Sequence, residues 1–116
     1  MNVELVVSGV DDVGDVGELH EWLRKERALA GLVRRVPQPI EDGHLGGVAD
    51  ILVVALGAGG AGAVLAQSLL TWLRSRRADV SVTVSTEVGV VKVAATNLAS
   101  ADVLPVLERV LQARDG

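Results

Sequence analysis

From Ile51 to Leu73 the chain carries no charged side chain, bounded by Asp50 on one side and Arg74, Arg76 and Arg77 on the other. So long an apolar run must be buried somewhere, and what buries it largely decides the fold. In its middle lies Gly57-Ala58-Gly59-Gly60-Ala61-Gly62. Three readings compete for it. A membrane span needs about 20 apolar residues, which the run supplies, and Ala55, Gly59 and Ala63 give small-xxx-small spacing. Against a span, Gln67, Ser68 and Thr71 fall in its latter half, and a crossing would part the first strands from the last. The glycines also match G-x-G-x-x-G, in which Gly57, Gly59 and Gly62 would let backbone N–H groups approach a pyrophosphate. The acid expected about 20 residues on is misplaced, since Asp79 precedes the next strand and Glu87 follows late. The reading that fits best is structural: two short buried helices, joined or kinked where missing side chains allow close backbone packing. Four glycines inside an unbroken helix would cost roughly 4 kcal/mol relative to alanine.

Around this centre the rest of the chain reads as one domain over 1–116. Val3 to Ser8 alternates as a strand. Asp15, three residues before Glu18, has capping-box spacing for a helix on which Val16, Leu19, Trp22, Leu23, Leu29 and Ala30 face inward. Arg24, Lys25 and Arg27 suit its C-terminal dipole, and Gly31 supplies the stop. Leu32 to Val36 makes a second strand closed by Pro37 and Pro39, expected to form a parallel pair with the first through a right-handed crossover. Leu45, Val48, Leu52 and Leu56 mark a buried helix that is apolar nearly all round. Val64 to Arg77 is helical, with Leu65, Leu69, Trp72 and Leu73 inward and Gln67, Thr71 and Arg74 outward. Val80-Val82-Val84 and Val88 to Val93 form a hairpin. Asp102 caps a last helix that tolerates Pro105 in its first turn, with Leu104, Leu107, Val110 and Leu111 inward. The expected fold is α+β: a four-stranded sheet with packed helices in the order β-α-β-α-α-β-β-α.

Composition narrows the function. There are no cysteines, which excludes disulfides and thiolate zinc sites. The start MNVELVVSG lacks a signal peptide's basic region and cleavage site, so a cytoplasmic location is expected, with membrane association as the alternative. A net charge of −4, with Trp22 and Trp72 as the sole aromatics, argues against a nucleic-acid partner. Asp11, Asp12 and Asp15 read as a cap and a solvated loop. His20 and His44 have no partners at metal-site or relay spacing. No catalytic, metal or cofactor site is therefore expected, and the chain reads as a non-enzyme. Arg34 and Arg35, adjacent in a strand, point to opposite faces. An apolar excess around Val53, Val54 and Leu70, with Trp72 nearby, would favour partner docking or homo-oligomerisation. WLRKERA (22–28) recurs as WLRSRRA (72–78), each before a strand, either as ordinary helix ends or as an internal duplication.

WLRKERAL running into RRVP, ADILVVALGAGGAG, and TWLRSRRADV before the hairpin together resemble the effector-associated constant component family of bacterial conflict systems. The resemblance runs from about Val3 through the last helix. It implies a small α+β protein encoded beside a signalling NTPase and a variable effector, often a trypsin-like or caspase-like protease. It carries over no catalytic motif, and implies an adaptor or sensor acting through protein–protein contacts.

Overall fold

Along β1 (Asn2–Ser8) exposed and buried residues alternate strictly, so one face of this strand is covered and the other is not. Val3, Leu5 and Val7 are the covered set. The computed structural model describes residues 2–9, 12–39, 48–57, 61–76, 78–97 and 103–111. Within them α1 (Asp12–Arg24), β2 (Val33–Pro39), β3 (Val48–Ala55), α2 (Ala61–Arg74), β4 (Ser81–Ser85), β5 (Val90–Ala94) and α3 (Val103–Leu111) follow β1, with a 3₁₀ turn at Ala95–Asn97.

The strands form one antiparallel sheet in the order β2-β3-β1-β4-β5. Both β1 and β2 run antiparallel to β3, which lies between them. They therefore run in the same direction but do not form the parallel pair expected, because β3 lies between them. In the same way β1 lies between β3 and β4. Two split βαβ units, β1-α1-β2 and β3-α2-β4, thus interleave through their first strands, the ferredoxin-like arrangement. The hairpin partner β5 and α3 extend it at the β4 edge.

Two expectations are corrected here. The described sheet has five strands, not four, and the order is β-α-β-β-α-β-β-α. The added strand is β3, where a buried helix was expected. Leu52 and Val54, with Leu56 just beyond the strand, enter the core from one face, while Ile51 is buried and Val53 half-buried on the other. A central strand that is apolar on both faces shows no period of two, so its pattern matches that of a buried helix. The uncharged run Ile51 to Leu73 is consequently split between β3 and α2. No helix of the described residues is long and apolar enough to cross a membrane.

The first helix also starts earlier than its capping-box spacing suggests. Asp15 lies inside α1 and is buried, and its carboxylate approaches Gly9 together with that of Asp79. Val16, Leu19 and Leu23 face the core as expected, but Trp22 is 39% exposed, and the helix ends at Arg24 rather than running to Gly31, so Leu29 is buried from a turn and Ala30 is exposed. Past Arg24 the chain stays wound through turns, with Glu26 N–H donating to the Leu23 carbonyl and Ala30 N–H to that of Glu26. Gly31, at φ 82°, ends the winding in the left-handed region open to glycine.

The second strand runs through both prolines rather than stopping at them. Ala55 N–H donates to the Leu32 carbonyl, which makes residues 32 and 55 a hydrogen-bonded pair. Alternation along the ladder then turns the backbone groups of 34, 36 and 38 toward β3, and those of 33, 35, 37 and 39 outward. Pro37 and Pro39 lack N–H groups only on the outer edge, so the ladder loses nothing.

Elsewhere the periodicities hold. Leu65, Leu69, Trp72 and Leu73 of α2 are buried, while Gln67, Thr71 and Arg74 are exposed. Val80, Val82 and Val84 are fully buried before and along β4. In α3, Leu107, Val110 and Leu111 are buried and Leu104 packs against the core; the cap expected at Asp102 lies outside the described residues. The hairpin loop is tied to α3, since Thr86 Oγ1 donates to the Val110 carbonyl at 2.9 Å.

Candidate interaction surface

No described helix covers the second face of the sheet. Register places its side chains in rows. Arg34 pairs with Val53, Val53 with Glu4, Glu4 with Ser85, and Ser85 with Val90, giving one row across five strands. In the next row Val36 pairs with Ile51, and Val6 pairs with Thr83, which pairs with Lys92. The β1–β3 register, continued by one residue, sets Val6 beside Ile51. The centre of this face is therefore apolar: Val6 is exposed, Val36 and Val53 are half-buried, and Ile51 is buried between them. Arg34, Glu4 and Lys92, all exposed, surround it. An apolar patch rimmed by polar residues is one mark of an interaction site.

The residues singled out in the sequence separate onto different surfaces. Arg34 and Val53 share the uncovered face. Arg35, on the helix side, is exposed, and its guanidinium lies near Gly17 of α1. Val54, Leu70 and Trp72 are buried in the core, at 0%, 6% and 3% exposure. Val53 and Val54 cannot share a surface, because successive strand residues point to opposite sides. Sequence reasoning passed over Glu4, Val6, Val36 and Lys92. Their signal was alternation with buried partners, which gains meaning once the strand order is known.

A second concavity, of about 540 Å³, lies between α1 and α2, lined by Gly17, Glu18, Trp22, Lys25, Trp72 and Arg76 among others. Two polar contacts cross it. Trp22 Nε1 donates to the Ser68 carbonyl at 3.0 Å, and Arg76 pairs with Glu18. The Arg76 guanidinium also stacks over the Trp72 ring, 5.1 Å from its centroid. This groove is the seam of the two βαβ units. Trp22–Arg24 and Trp72–Arg74 close α1 and α2 respectively, so both copies of the WLR repeat are helix ends at the same position of the two βαβ units, which fits ordinary helix ends and an internal duplication alike.

The glycine-rich segment joins a strand to a helix, rather than two helices. Ala58, Gly59 and Gly60 lie outside the described residues. Gly62, in the first turn of α2, packs against the backbone of Leu111 at the end of α3. Close backbone contact, the structural reading, is thus what this glycine provides. Among the described residues no group of three His, Asp or Glu side chains is placed to hold a metal ion. His20 is half-buried in α1, and His44 and Asp11 lie outside the described residues.

The chain matches no curated protein and no solved structure. It does match a family model, Effector Associated Constant Component 1, over residues 8–112. That match takes in every described element from α1 to α3, both WLR segments and the glycine-rich junction. The chain therefore belongs to the Effector Associated Constant Component 1 family.

Proposed function

We propose that the protein is a non-enzymatic interaction component, an adaptor or sensor, of a bacterial conflict system. On this reading it acts with a protease-type effector, trypsin-like or caspase-like, and a signalling NTPase, and leaves the chemistry to them. Family membership supports a place in an effector-associated system. The observation that carries the interaction role is the sheet face that no described helix covers, where exposed Val6 and half-buried Val36 and Val53 lie within Arg34, Glu4 and Lys92. A face of β-branched side chains on a hydrogen-bonded sheet is rigid, so docking on it costs little ordering entropy. The test is co-purification of the chain with the protease or NTPase encoded beside it. Retention through a gel-filtration step is expected; repeated separation under mild salt would count against the role.

A further inference from the structure

The two outer edges of the sheet are built differently. On β2, two of the outward-directed positions are Pro37 and Pro39, so that edge lacks N–H groups along half its length. On β5 the ladder can be phased from two backbone bonds. Thr86 N–H donates to the Gly89 carbonyl and Ala95 N–H to the Val80 carbonyl. Pairs 86/89 and 80/95 are therefore hydrogen-bonded, as are 84/91 and 82/93 between them. Val90, Lys92 and Ala94 direct their N–H and C=O groups away from β4. No described strand pairs with that edge. Val90 is 66% exposed, the most of any large hydrophobic side chain among the described residues.

We propose that the outer edge of β5 is a strand-addition site for an extended partner segment carrying an acidic side chain, with apolar side chains two residues to either side. The edge supplies the affinity through three consecutive outward-facing peptide groups, and the side chains supply the selection. Val90, Lys92 and Ala94 all lie on the uncovered face, so a partner residue opposite each also projects there. Val90 and Ala94 favour apolar neighbours, and Lys92 favours a carboxylate. A second copy of the chain fits less well. Antiparallel pairing of β5 with itself in full overlap sets Lys92 against Lys92, and moving the axis by one residue to escape this shortens the ladder. The lysine that protects the edge from itself thereby selects for acids.

This inference rests on the reading of the chain as an interaction component, but it is tested without any natural partner. The probes are two blocked synthetic peptides, Ser-Val-Thr-Glu-Thr-Val-Ser and its Glu-to-Lys counterpart, titrated into the ¹⁵N-labelled full chain. The acidic peptide is expected to slow amide exchange at Val90, Lys92 and Ala94, and to bind about fivefold more tightly than the basic one. Lys92→Glu should reverse that order. Lys92→Pro should abolish protection while the fold persists, because the N–H it removes is not part of the β4 ladder. The proposal is overturned if neither peptide slows exchange at these amides, if both bind equally, or if Lys92→Pro binds as the parent does. Protection that rises with protein concentration in the absence of peptide would assign the edge to a second copy and would also overturn it. Such failures leave the co-purification result untouched, so the two readings are separable.

Discussion

Gly62 of α2 and Leu111 of α3 approach so closely that a Cβ on the glycine would overlap the leucine carbonyl oxygen. The contact joins the helix of the second βαβ unit to the helix appended after it. At this junction backbone meets backbone, and neither side can move aside by rotating a side chain.

Gly62→Ala is therefore expected to destabilise the protein by about 1–3 kcal/mol, the range for overpacking a close contact, as read by urea unfolding. Gly57→Ala is the matched control. It adds the same methyl group in the same glycine-rich segment, but no atom of the described residues lies within 4 Å of the new Cβ, and its midpoint should stay near the parent's. Equal losses from the two variants would mean that the glycines serve chain flexibility rather than packing.

Val53 and Val54 differ by one residue and face opposite sides of β3. Val54, at 0% exposure, pairs with both Val3 and Val33 on the helix side. Val54→Asp buries a carboxylate in an aliphatic core and should prevent folding. Val53→Asp places the same group on the uncovered face between Arg34 and Glu4. Circular dichroism melts should show a folded Val53→Asp variant and no cooperative transition for Val54→Asp.

The two tryptophans report on the α1–α2 seam independently. Trp22 is 39% exposed and Trp72 is 3% exposed. In Trp22→Phe the remaining emission should resist acrylamide quenching, whereas in Trp72→Phe it should be quenched severalfold more steeply. Trp22→Phe also removes the donor to the Ser68 carbonyl, at a cost of about 1 kcal/mol in unfolding free energy.

Legibility in the sequence follows periodicity. The hairpin, the inward face of α2 and the inward face of α3 are written in one-sided patterns, and each forms where its pattern places it. The third strand is not, because burial on both faces erases alternation and leaves length and β-branching as the remaining signals. Val48 to Val54 is rich in β-branched residues, yet the glycine run after it draws the segment toward a helical reading. The start of α1 is obscured because Asp15 has the spacing of a cap while serving as a buried carboxylate beside Gly9. Pro37 and Pro39 read as the end of a strand, and become compatible with one only where an edge exposes their missing N–H groups. The uncovered face is the least legible feature. Arg34 and Val53 stand out in the sequence for charge and apolarity, but their place beside Glu4 depends on β1 lying next to β3, a long-range pairing that no local pattern encodes.

Val53→Asp against the parent chain, in direct binding to the neighbouring effector protease or NTPase, tests the docking face most directly. Titration calorimetry on purified proteins is the measurement. The parent should bind, and Val53→Asp, melting as a folded protein, should lose at least about tenfold in affinity, or about 1.4 kcal/mol. Undiminished binding by the folded variant, or no binding by the parent to either protein, would contradict the assignment of the uncovered sheet face as the docking surface.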